Sequence, residues 1–134
     1  MNSIRFVPTA VHGVFDYAGA IGLIASPFIF AFADVGGIAV FLPIVLGAGL
    51  LLYSLLTDYE LGIPGVKFIP MSVHLSVDFV ASAFLAVAPF LFGYKNLGLS
   101  VWLPQVIAGI SVILLVLVSK TDPQVNATSL TAAA

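Results

Sequence analysis

The sequence repeats itself. Shifted by about 62 positions, Arg5-Phe6-Val7-Pro8 falls on Lys67-Phe68-Ile69-Pro70, and Val11-His12 on Val73-His74. Asp16 falls on Asp78, Leu23 on Leu85, and Pro27-Phe28-Ile29-Phe30 on Pro89-Phe90-Leu91-Phe92. One-residue slips bring Leu42-Pro43 onto Leu103-Pro104, and a further gap brings Thr57-Asp58 onto Thr121-Asp122. Chance does not place Pro, His, Asp and Pro in one register twice. Any fold for this chain is therefore two copies of one unit.

What the unit is follows from its apolar runs. Four segments, at 10–32, 37–56, 71–93 and 99–119, are each close to the length of about 20 residues that crosses a bilayer as a helix. Of the 134 residues, 61% are hydrophobic and only 7% charged, with a mean hydropathy of +1.21. A water-soluble surface needs more polar groups than that. Short turns at 33–36 and 94–98 make spans one and two, and three and four, antiparallel neighbours; the central loop, 57–70, is longer. The expected fold is all-α, a bundle of four transmembrane helices made of two tandem helical hairpins. Each unit holds an even number of spans. The copies thus enter the membrane from the same side, related by a pseudo-twofold axis along the membrane normal. The chain reads as one membrane domain over 1–134, with repeat 1 at 5–60, repeat 2 at 67–122, and a small, polar, loosely ordered tail at 123–134.

Arg5, Lys67 and Lys120 fall on the side holding both termini and Lys95 on the other. The positive-inside rule then puts both termini in the cytoplasm. Trp102 and Tyr94 sit at the opposite interface. Arg5 before an apolar run, with Ala31-Phe32-Ala33 beyond it, imitates a signal peptide. The run is too long for one, contains Pro27, and has a full counterpart inside the chain.

Several functions are excluded. There is no cysteine, hence no disulfide, thiolate metal site or cysteine nucleophile. A net charge of −2 offers nucleic acid no basic surface. No Gly-x-Ser-x-Gly elbow, His-Glu-x-x-His helix or phosphate-binding glycine loop occurs, so no enzyme class and no cofactor is indicated.

The triplet Ser26-Pro27-Phe28, repeated as Ala88-Pro89-Phe90, resembles the Ser-Pro-Trp signature of the SPW-repeat membrane proteins of bacteria, with Phe in place of Trp in both copies. The segments from Val11-His12-Gly13 to Asp16-Tyr17, and Leu55-Leu56-Thr57-Asp58-Tyr59-Glu60, are also similar to these proteins. The resemblance covers nearly all of the chain. It implies a multi-pass protein of the bacterial inner membrane, and it carries no activity.

The chemistry lies in His12 with Asp16 and His74 with Asp78. The i, i+4 spacing puts imidazole and carboxylate on one helical face. A helix starting near Pro8 carries Asp16 about 12 Å along its axis. An ionised carboxylate at that depth costs at least about 2.5–3.5 kcal/mol unless it is partnered. Both aspartates should therefore face the bundle interior. The small residues that follow, Gly19 and Ala20, then Ala81 and Ser82, allow close helix approach there. A ridge of Ala18, Gly22 and Ser26 adds to it. Pro27 and Pro89 should kink their helices near the outer end. With Thr57-Asp58 and Thr121-Asp122 at the same side, the expectation is one polar layer: His12, Asp16, Thr57, Asp58, His74, Asp78, Thr121 and Asp122.

Four readings apply to this layer. It is an interhelical joint; an ion or proton path; a metal or haem site built on His12, Asp16, His74 and Asp78; or an acid–base centre. In a simple up-down bundle the first and third helices are diagonal, so a shared ion requires close packing. The joint leads, in a structural or accessory membrane protein that is a homo-oligomer or part of a larger complex in the lipid bilayer. Tyr53 and Gln105 are expected to make helix-to-helix hydrogen bonds. The apolar loop residues Leu61, Ile63, Val66 and Phe68 should lie on the membrane surface as a docking face.

Overall fold

The computed structural model describes residues 3–123. The tail expected at 123–134 lies, past its first residue, outside the described residues. Four long helices follow one another: α1 (Thr9–Ile29), α2 (Gly37–Leu55), α3 (Met71–Leu91) and α4 (Leu99–Val118). Short 3-10 turns at Ala33–Val35 and Tyr94–Leu97 close each hairpin. No strand occurs among the described residues, only two isolated parallel bridges, Val7 to Ser119 and Thr57 to Ile69.

Prolines set where the first helix of each hairpin starts. Pro8 and Pro70 stand just ahead of α1 and α3 with extended ψ of 149° and 146°. A proline there loses no helical hydrogen bond, because its position has no intrahelical partner. Their carbonyls accept the backbone N–H of His12 and of His74, each at 3.0 Å. The same proline therefore starts the helix and fixes the rotational position of the histidine four residues on.

The outer ends are also built alike. Pro27 cannot donate to the Leu23 carbonyl, and Ser26 Oγ fills the gap by donating to it at 2.8 Å. This gives the Ser-Pro pair a physical reason in the first copy; Ala88 in the second has no hydroxyl to do it. α1 then turns through Ala31, which has φ of +55°, and α3 through Gly93 at +74°. The two positions are equivalent in the repeat. Only the second carries the residue that adopts this conformation without cost.

Within each hairpin, a glycine lets backbone meet backbone. A Cβ on Gly47 would lie 2.8 Å from the Ala20 carbonyl oxygen, and one on Gly109 would lie 2.5 Å from that of Ser82. Lipid provides no hydrophobic drive between helices, so such close contacts supply dispersion energy instead. Two apolar clusters fill the bundle. One, near the outer end, holds Phe32, Ala39, Leu42, Leu85, Ala88, Tyr94 and Val101. The other, near the termini, holds Tyr59, Met71, Leu75 and Val116.

α2, α3 and α4 are long and apolar enough to cross a membrane. α1 matches α3 in length, at 21 residues, but is not among these three. Its polar residues Thr9, His12 and Asp16 are buried in the bundle, while Val14, Phe15, Ile21 and Phe28 point outward. Its outward face is thus as fit for lipid as that of its neighbours.

The hairpins interlock at the end bearing the termini. Phe6 and Val7 donate to the Val118 carbonyl, and Lys120 donates to Val7. Phe68 and Ile69 donate to the Leu56 carbonyl, and Asp58 donates to Ile69. These are the same bonds shifted by one repeat. The segment entering each hairpin pairs with the segment leaving the other, so the second unit closes back on the first. Arg5 reinforces one closure by donating to the carbonyls of Val116 and Ser119. Lys67 donates to the Tyr59 carbonyl at 2.6 Å.

Candidate functional site

Between the two apolar clusters, α1 and α3 bring His12, Asp16, His74 and Asp78 together. Their side chains alternate around a ring. His12 Nε2 lies 3.2 Å from Asp16 Oδ1 and 3.0 Å from Asp78 Oδ2. His74 Nε2 lies 3.1 Å from Asp16 Oδ2 and 3.1 Å from Asp78 Oδ2. Each histidine thus reaches the aspartate of its own helix and that of the other repeat. Both imidazoles have no exposed surface, and the carboxylates almost none. α1 and α3, expected to sit diagonally apart, meet through these four groups.

The outer face of each ring is held as well. Ser119 Oγ lies 2.6 Å from His12 Nδ1, and Thr57 Oγ1 lies 2.8 Å from His74 Nδ1. Each hydroxyl donates its one proton to a carbonyl a helical turn back, Leu115 at 2.6 Å and Tyr53 at 2.7 Å. It can therefore only accept from the imidazole. This assigns the Nδ1 proton on both rings by the hydrogen-bond network. Nε2 is left to face the carboxylates.

That tautomer has an electrostatic consequence. If both imidazoles are neutral, two lone pairs face two carboxylates in a buried site, with two negative charges unbalanced. Such a state is costly inside a membrane. The cluster is balanced by two protons, giving two imidazolium–carboxylate pairs, or by one divalent cation. His74 Nε2 makes no hydrogen bond, despite its two close carboxylate oxygens. All four candidate ligand atoms lie within 4.8 Å of one another.

Two tyrosines complete the carboxylates. Tyr53, from α2, donates to Asp78. Tyr59 reaches in from the central loop and donates to Asp16 at 3.1 Å. Tyr59 is almost fully buried, covering the cluster on the side of the termini. Burial pushes its hydroxyl well above the ordinary tyrosine range, and the Asp16 carboxylate beside it acts in the same direction. A Cβ on Gly13 would lie 2.6 Å from the Tyr59 ring, so Gly13 is the residue that admits this cover. Of the expected docking-face residues, Leu61, Ile63, Val66 and Phe68 are exposed. The loop has an outward apolar edge and an inward tyrosine.

The layer is smaller than the sequence pattern suggests. Thr57 belongs to it. Asp58 and Asp122 are exposed and Thr121 half-buried, and none of the three joins the cluster. The ungapped register pairs Thr57 with Ser119. The gap that matched Thr57-Asp58 to Thr121-Asp122 preserved a dipeptide at the expense of geometry. Ser119 was legible as the hydroxyl residue at the unshifted position. The repeat gave no signal for Tyr53 or Tyr59, because Leu115 and Thr121 stand at their counterparts; Tyr53, on α2, nevertheless makes the helix-to-helix hydrogen bond expected of it, to Asp78 on α3. At the outer end, Gln105 donates to the carbonyls of Ala39 and Val101 and accepts from Tyr94, the helix-to-helix bonding expected of it.

The model of the SPW repeat domain matches residues 10–119. The chain belongs to the SPW repeat family. No curated protein and no solved structure matches it. In SPW repeat terms, the matched region runs from the first turn of α1 to the hydroxyl of Ser119. It encloses the cluster, both hydroxyls that hold it and both Pro-bearing helix ends. The apolar exterior, with Phe41, Val80 and Leu91 each more than 60% exposed, is that of a protein embedded in lipid.

Proposed function

We propose that this chain is an accessory protein of the bacterial inner membrane, in which His12, Asp16, His74 and Asp78 form a structural joint between the two hairpins. The observation that carries the reading is reciprocity. Each imidazole contacts both carboxylates, so the site exists only when both repeats are in place. The joint is buried, held at its rim by Ser119 and Thr57, and flanked by the glycine contacts at Gly47 and Gly109. On this reading the repeat units are 5–60 and 67–122. Both termini are cytoplasmic, because Arg5, Lys67 and Lys120 gather at the end where the hairpins interlock.

An ion or proton path finds less support. Past the cluster toward the outer end, the interior holds the apolar side chains of Phe32, Ala39, Leu42, Leu85 and Ala88, and the buried Gln105 there spends its hydrogen bonds on Tyr94 and on the carbonyls of Ala39 and Val101. Assembly into a homo-oligomer or a larger membrane complex is part of the proposal, and the exposed loop edge at Leu61, Ile63 and Val66 is the surface we assign to it.

The test is the double variant His12→Ala/His74→Ala in detergent, followed by fluorescence-detected unfolding. The joint reading expects a native-like fold with a markedly lower unfolding midpoint. A midpoint equal to that of the wild type would reject it.

A further inference from the structure

We propose that the joint is also a binding site for one divalent transition-metal ion, ligated by Nε2 of His12 and His74 and by the carboxylates of Asp16 and Asp78. The proposal rests on the reading of these residues as the joint between repeats, and it deepens that reading.

Three independent observations carry it. The first is spacing. Metal–nitrogen and metal–oxygen bonds of about 2.0–2.2 Å place neighbouring ligand atoms about 2.8–3.6 Å apart, across octahedral to tetrahedral angles. The four neighbouring N···O separations here are 3.0, 3.1, 3.1 and 3.2 Å. An ion needs little movement of the side chains to enter.

The second is the tautomer. Metal-binding histidines donate their remote ring N–H to a fixed acceptor, which orients the imidazole and turns the lone pair of the other nitrogen to the ion. The hydroxyls of Ser119 and Thr57 are such acceptors, since their own protons are spent on backbone carbonyls.

The third is the setting of His74. Its Nε2 has no exposed surface, makes no hydrogen bond, and faces carboxylate oxygens of Asp16 and Asp78 at 3.1 Å each, within reach of all the other ligands. With the ring proton on Nδ1, a cation inside the ring bridges that lone pair and the two carboxylates.

The ligand chemistry selects the ion class. Two imidazoles and two carboxylates with no exposed surface suit Ni2+, Cu2+ or Zn2+. Mg2+ keeps several waters and Ca2+ takes six to eight oxygens, and neither demand is met here. Two carboxylates and two neutral imidazoles also make the ion-filled cluster electrically neutral, which the membrane interior favours.

The experiment uses tag-free protein in detergent. Elemental analysis follows chelator treatment and reloading with Zn2+, Ni2+ or Cu2+, beside Asp16→Asn/Asp78→Asn and His12→Ala/His74→Ala. The expected result is one tightly held ion per wild-type chain, a melting midpoint that rises with added metal, and loss of both in either double variant. Electron paramagnetic resonance of the Cu2+-loaded wild type gives a reading that needs no variant. Coupling to two equivalent imidazole nitrogens is expected. Wild type that takes up no ion, or Cu2+ without two coupled nitrogens, overturns the metal site. The joint survives that outcome if the histidine double variant still unfolds earlier than the wild type, and falls separately if it does not.

Discussion

The glycine-mediated approach of α4 to α3 offers the sharpest test of how the hairpins are built. Replacing Gly109 by Ala puts a methyl group 2.5 Å from the Ser82 carbonyl oxygen and 2.9 Å from both the Cβ and the backbone nitrogen of Ala86. Two of these neighbours are backbone and cannot rotate away. Restoring ordinary contact distance requires α4 to move from α3 by about 0.5–0.9 Å, and shifts of this kind cost about 1–3 kcal/mol. At Gly47 the nearest backbone atom is at 2.8 Å and the other close contacts are side chains, so the shift is smaller and the cost should be less. Gly49, in the same helix as Gly47, has nothing within 4 Å of its would-be Cβ. Gly49→Ala should be neutral or stabilising by up to about 1 kcal/mol, the ordinary helix preference for Ala. The assay is unfolding in mixed detergent and dodecyl sulfate micelles, read from Trp102, the only tryptophan, which packs against the outer apolar cluster. The expected order of stability is Gly49→Ala, then Gly47→Ala, then Gly109→Ala. A Gly49→Ala variant as damaged as Gly109→Ala, or an undamaged Gly109→Ala, would refute close approach as the reason for these glycines.

Three further predictions follow. Asp78→Asn should lower stability by about 1–3 kcal/mol, because it removes a carboxylate approached by both histidines and Tyr53. Asp58→Asn, at an exposed site outside the cluster, should stay within about 0.5 kcal/mol of wild type in the same unfolding assay. Ala31→Gly should raise stability by up to about 1 kcal/mol, and Gly93→Ala should lower it by a similar amount, since both positions have positive φ. The reverse ordering in thermal melts would count against the turn geometry. Burial pushes the Tyr94 hydroxyl up to about 12, from an ordinary 10. The unfolded chain therefore loses this proton first. The stabilisation is complete below pH 10 and drains away as pH rises toward 12. Unfolding midpoints measured across that range should fall in the wild type and fall less steeply in Tyr94→Phe.

Much of this architecture was written plainly in the chain. The repeat and the four apolar runs dictate two hairpins, and the i, i+4 pairs dictate that His and Asp share a face. Helix ends were less legible: the apolar run past Ile29 continues through Phe30, Ala31 and Phe32, while the backbone turns at Ala31. Hydropathy cannot sense that turn, because lipid accepts the residues on either side of it equally. The site was legible in its four ionisable residues, in Thr57, and in Tyr53 as a helix-to-helix donor. Tyr59 breaks the repeat, so symmetry could not point to it, and its position depends on how the central loop folds over Gly13. The simple bundle picture, with α1 and α3 diagonal, holds for the helix contacts. What it did not give is that each entering segment pairs with the other hairpin's exit, through Val7 with Ser119 and Ile69 with Thr57.

The account's central claim is that the cluster couples one repeat to the other. The most direct measurement is a double-mutant cycle across the repeats, His12→Gln with Asp78→Asn, whose side chains lie 3.0 Å apart in different copies. Unfolding free energies of the wild type, both single variants and the double variant give the coupling. Buried membrane hydrogen bonds couple by about 0.6 kcal/mol on average and up to about 1.7 kcal/mol. The account predicts a value in the upper part of that range, because both groups are ionisable and buried. Additivity within about 0.3–0.5 kcal/mol, the level expected of independent sites, would mean that His12 and Asp78 do not act on one another, and the joint between the hairpins would have to lie elsewhere.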